Sequence, residues 1–77
     1  MTDLQAELDV VRSRVAEGEK HVRLQREILG HLREVGAATD VAEQILAEFE
    51  ARLAEERARE DGLISALANG PPLPRPS

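Results

Sequence analysis

Positions spaced alternately four and three residues apart run from Leu4 through Leu8, Val11, Val15, Gly18, Val22, Gln25 and Leu29 to Leu32, apolar throughout except for the glycine and the glutamine. This repeat lines up about one side chain per turn on a single stripe and marks a heptad seam. Val10, Leu24, Ile28 and Val35 fall beside that stripe and widen it, the pattern of a bundle helix that faces more than one neighbour. The spacing predicts a first helix over about residues 3–35, with Thr2 as N-cap and Gln5 completing a capping box.

The pattern breaks at Gly36-Ala37-Ala38-Thr39-Asp40. Gly36 suits the left-handed position just past a helix end, and Thr39 or Asp40 suits the next N-cap. If Asp40 caps, Glu43 completes a box with it; if Thr39 caps, Asp40 lies in the first turn at the positive end of the helix dipole. A second helix follows over about residues 40–68, its seam carried by Ala42, Leu46, Phe49 and Leu53, with Ile45 beside it, then by Glu56 and Glu60, and again by Leu63 and Leu67. Gly62 weakens it by about 1 kcal/mol relative to alanine, but Leu63, Ile64 and Leu67 carry the helix onward.

So short a connection returns the second helix antiparallel to the first, and the predicted fold is an all-α two-helix hairpin. Folding at residues 37–38 sets Leu29 opposite Leu46, Val22 opposite Leu53 and Val11 opposite the region of Leu63. Gln25 then falls near Phe49, and Gly18 near Glu56 and Arg57. Glu56 and Glu60 meet the stretch that holds Arg12, Arg14 and Lys20, where each finds a cation. Gly18 costs the first helix about 1 kcal/mol relative to alanine, which is explained by close approach of the second helix or, alternatively, by a local bend.

The chain has 77 residues, and below about 70–80 residues a single core rarely supplies more than about 3–5 kcal/mol. An isolated hairpin of this length also exposes the outer half of both stripes. A second hairpin is the natural source of the missing burial, so the expected assembly is a homodimer, as a four-helix bundle or a coiled coil. The expected core and interface comprise Leu8, Val11, Val15, Gly18, Val22, Gln25, Ile28, Leu29, Leu32, Ile45, Leu46, Phe49, Leu53, Leu63 and Leu67, with Gly36, Thr39 and Asp40 forming the turn.

Charge and composition narrow the function. Ten basic against fifteen acidic side chains give a net charge of −5, which opposes phosphate backbones and anionic lipid, so neither nucleic acid nor membrane is expected as a partner. Helix 1 is locally basic, with six basic and seven acidic residues against three and eight in helix 2; that asymmetry fits charge matching between the helices better than a DNA surface. Phe49 is the single aromatic, so stacking platforms for bases are lacking. The chain has no cysteine, which excludes disulfides and thiolate metal sites. The acidic start MTDLQAELD differs from a signal peptide and no apolar run matches a membrane span, so a cytoplasmic protein is expected.

Candidate chemistry is sparse. His21 and His31 each follow a glutamate by four residues, Glu17 and Glu27, a spacing that gives a contact along one helix face. A metal site would need further ligands from a partner helix, and the Glu-x-x-His element of di-iron bundles does not occur. Glu56 and Glu60 stand one turn apart on the seam, but paired carboxylates act as acid and base only where a closed pocket separates their protonation. Residues 69–77, NGPPLPRPS, read as a disordered or polyproline-II tail with a Pro71-to-Pro74 PxxP element.

Gly18-Glu19-Lys20-His21-Val22, Gln25-Arg26, Ile28-Leu29, Leu32, Gly36, Thr39, Ala42, Leu46, Phe49 and Glu50 together resemble a group of small uncharacterised alphaproteobacterial helical-hairpin proteins. These read roughly G-x-x-H-[IV]-x-x-Q-R-x-[IL], then G-x-x-[TD], then L-x-x-[FL]-E. The resemblance covers about residues 17–50 and implies a short hairpin from a bacterial source, with no activity, cofactor or partner attached. The function expected is a non-enzymatic protein–protein interaction module or regulator acting as a homodimer, without cofactor or catalytic residues, its partners being itself and another protein. A purely structural self-assembling bundle and a metal-binding four-helix bundle are the alternatives.

Overall fold

The computed structural model describes residues 3–69. Two helices, α1 over Leu4–Glu34 and α2 over Asp40–Asn69, pack against each other along their lengths as an antiparallel hairpin. There is no strand among the described residues. α2 runs unbroken through Gly62 and ends one residue beyond the predicted boundary. Thr2 and the tail from Gly70 onward lie outside the described residues.

Asp3, not Thr2, caps α1. Its carboxylate accepts from the backbone N–H groups of Gln5 at 3.0 Å and Ala6 at 3.3 Å. A charged acceptor at the positive end of the dipole binds those orphan donors better than a hydroxyl does. The Gln5 side chain does not reach back toward the cap; its amide donates forward to Asp9 Oδ1 at 3.1 Å, so the capping box is not formed.

The turn is built as a Schellman motif. Gly36 takes φ +71°, its N–H donates to Arg33 O at 3.2 Å, and the Ala37 N–H donates to Leu32 O at 2.9 Å. Together these satisfy two carbonyls that the end of α1 would leave bare. Glu43 N–H donates to Thr39 O at 2.8 Å, which makes Thr39 the N-cap of α2 and puts Asp40 in its first turn. Glu43 is therefore not the far member of an Asp40 box. Its carboxylate instead accepts from Arg33 across the turn at 3.2 Å.

The core is a single seam. Val11, Val15, Val22 and Leu53 form its buried cluster, with Leu46, Phe49 and Leu63 packed against it, and Leu8, Leu29 and Ala42 extend the buried line toward both ends. Helix 1 supplies most of the fully buried side chains. The middle of α2 is polar at the seam, so one leucine, Leu53, carries the packing there.

Candidate protein interface

One row of ion pairs and one row of apolar side chains give the hairpin two unlike faces. On one face Arg33 pairs with Glu43 at 3.2 Å, Arg26 with Glu50 at 3.9 Å and Arg57 with Glu19 at 3.5 Å. Arg12 pairs with Glu60 at 3.8 Å toward the open end. Each bridge links α1 to α2, so the pairing of basic positions on one helix with acidic positions on the other is realised along the hairpin. All of these partners are solvent-exposed to some degree, and such pairs contribute about 0–1 kcal/mol each. Their value lies in register more than in stability.

The opposite face belongs to the row beside the seam of α1. Val10, Leu24, Ile28 and Val35 are 51, 46, 48 and 62% exposed, and Val41, at the start of α2, is 70% exposed. Ile45, Phe49 and Leu32 lie half-buried between them. Ile28 is therefore not a member of the intrachain core, because it occupies the flanking row one residue short of Leu29. Leu67, 37% exposed, lies near the open end, where little of α1 remains to cover it.

Between the apolar stretches at the two ends sits a notch of about 290 Å³ lined by Arg14, Glu17, Gly18, His21, Phe49, Leu53 and Glu56, with Ser13 and Arg52 at its edge. Gly18 and Leu53 form its floor. A Cβ at position 18 would stand 3.1 Å from Leu53 Cδ1, so the glycine does allow close approach, to Leu53 instead of to Glu56 or Arg57. Arg57 reaches Glu19 on the charged face, while Glu56 reaches Arg14 at 4.0 Å. The ring of His21 meets that of Phe49 with centroids 5.6 Å apart at 54°, and its Nε2 lies 3.7 Å from Glu17. Glu56 Oε2 is buried without a hydrogen-bond partner among the described residues.

The remaining expected site residues fall as follows. Leu8, Val11, Val15, Val22, Leu29 and Leu53 are buried, while Gly18, Gln25, Leu32, Ile45, Leu46, Phe49 and Leu63 are half-buried. Val41 escaped the sequence reading, although its four-residue spacing from Ile45 places it on the same row. Among the described residues no three or more His, Cys, Asp or Glu side chains come together as a metal site, and no helix is long and apolar enough to cross a membrane. No protein-family model, curated protein or solved structure matches the chain.

Proposed function

We propose that this chain is a non-enzymatic association module, a helical hairpin that works by presenting its apolar face to protein and acts as a homodimer. The observation that supports this reading is the sidedness of the molecule. Leu24, Ile28, Val35 and Val41 lie between 46 and 70% exposed on one face, while the other face is closed by the ion pairs of Arg26, Arg33 and Arg57. These four side chains alone leave on the order of 400 Å² of apolar surface in water, the size of the largest patch on a typical monomer, which is often functional. The open notch at His21 and Phe49 offers no enclosed volume in which a reaction would be shielded from water.

Sedimentation equilibrium of the full chain at about 10–100 μM tests it. The expected mass is twice the 8.5 kDa of the chain, with a Kd in the micromolar range. A monomer across that range would overturn the homodimer reading.

A further inference from the structure

We propose that Asn69-Gly70, at the end of α2, is a site of spontaneous covalent modification, where the asparagine converts through a cyclic imide to aspartate and isoaspartate. An aspartate or asparagine followed by glycine is the dipeptide most open to this chemistry, because glycine has no side chain to obstruct attack by its backbone nitrogen. The chain has two such dipeptides, Asp61-Gly62 and Asn69-Gly70, and Asn69 is its single asparagine. Asp61 and Asn69 are both exposed, so exposure does not choose between them. Position in the helix does. α2 runs unbroken through Gly62, which keeps the Gly62 N–H in the hydrogen-bonded ladder and fixes Asp61 at a helical ψ from which the five-membered ring cannot close. Asn69 is the last residue of the helix, and helix ends fray. No hydrogen bond holds its carboxamide among the described residues. Local opening is nearly free at a fraying terminus and approaches the cost of global unfolding in an element's interior, so the fold protects one dipeptide and leaves the other reactive.

The reaction needs only water and a base. Base takes the proton of the Gly70 N–H, and the nitrogen attacks Asn69 Cγ. The new N–Cγ bond closes the ring as the Cγ–Nδ2 bond breaks, and the amide nitrogen leaves, protonated, as ammonia. Water then opens the ring. Attack at Cγ breaks the bond just formed and gives aspartate; attack at the main-chain carbonyl carbon breaks the original peptide bond, and the chain runs on through Cγ as isoaspartate. Either product adds a negative charge to a chain of net charge −5. The charge falls at the negative end of the α2 dipole, where the last turn holds no basic residue, and is unfavourable there. Isoaspartate also puts an extra carbon into the main chain, which ends the helical ladder at that point. The modification therefore loosens the last turn of α2, where Leu67 is already 37% exposed, and it runs one way.

Intact-mass and fragment-ion spectra of the full chain, incubated at neutral and at alkaline pH with and without urea, test this, together with isoaspartyl methylation to read position 61, where isomerisation leaves the mass unchanged. A gain of a single dalton located at Asn69 is expected, faster at alkaline pH. In the folded chain its rate is expected to lie within about 3-fold of that in urea, whereas isoaspartate at Asp61 forms about 10-fold or more slowly than in urea. Asn69→Gln is expected to abolish the gain, and Gly70→Ala to slow it about 10-fold. Protection of Asn69 by the fold as strong as that of Asp61 would overturn the proposal, as would an undiminished mass gain in Asn69→Gln. Equal rates at both positions in the folded chain, each matching its rate in urea, would overturn the selection by helix position.

Discussion

Gly18 and Leu53 meet across the hairpin more closely than two ordinary side chains could: a methyl group on residue 18 would stand 3.1 Å from Leu53 Cδ1. The neighbour in question is the end of a flexible side chain, and the notch beside it gives it room to turn. Gly18→Ala is therefore expected to be close to neutral or stabilising by up to about 0.5 kcal/mol, the helix propensity gain outweighing a small shift of Leu53. Gly18→Leu has no such space and is expected to cost about 1–3 kcal/mol. Thermal and urea unfolding of both variants checks the pair, and a Gly18→Ala loss above about 1 kcal/mol would mean that Leu53 is locked in place.

The other glycines separate conformational need from lack of need. Nothing lies within 4 Å of a Cβ placed at Gly62 or Gly30, so Gly62→Ala and Gly30→Ala are each expected to stabilise by about 0.5–1 kcal/mol. Gly36, at φ +71°, behaves oppositely. Its replacement by alanine is expected to cost about 1 kcal/mol because the left-handed backbone crowds a Cβ. Unfolding midpoints measured at one chain concentration would show the two signs.

Leu53, 6% exposed, is the one large side chain of α2 that is fully buried against Val11, Val15 and Val22. Leu53→Ala is expected to cost about 2–4 kcal/mol through lost transfer energy and the cavity left behind. In a chain this small that is most of the available stability. Helical circular dichroism at 25 °C should fall sharply, and a cost below 1 kcal/mol would show that the hairpin packs elsewhere.

The Arg26–Glu50 pair, at 3.9 Å with both side chains largely exposed, should act on register and little on stability. Arg26→Glu is expected to lower stability by about 0.5 kcal/mol at low salt, with most of the effect gone in 1 M salt, where the Debye length is about 3 Å. Adding Glu50→Arg should restore the loss. A deficit that persists in high salt would point to packing by the arginine stem instead.

The helix limits, the seam and the turn were legible because each rests on local chemistry: periodic leucines and valines, a left-handed glycine and a capping threonine. The cap at the start of α1 is not legible in the same way: Thr2 and Asp3 are both good cap residues, and it is the Asp3 carboxylate that reaches two N–H groups. The sidedness was half legible. Val10, Leu24, Ile28 and Val35 were visible as a widened stripe, but heptad spacing alone does not say which flank faces the second helix and which faces water. Ile28, expected in the core or the interface, lies on the flank that faces water within the hairpin, 48% exposed. Gly18 meets Leu53, about one turn from the expected Glu56 and Arg57, because the fold point at residues 37–38 predicts level along the axis and not which side chain leans into a gap.

The Schellman turn at Gly36, reinforced by the Arg33–Glu43 bridge, also has a kinetic meaning. Contacts nearest the turn close the shortest loops, and each later contact along the seam needs only a small further extension of a loop already closed. Folding of the hairpin should therefore advance from the turn toward the termini like a zipper. Amides near Leu8 and Leu63 should exchange with solvent sooner than those near Leu29 and Leu46, so the open ends are where a chaperone or protease would first gain hold.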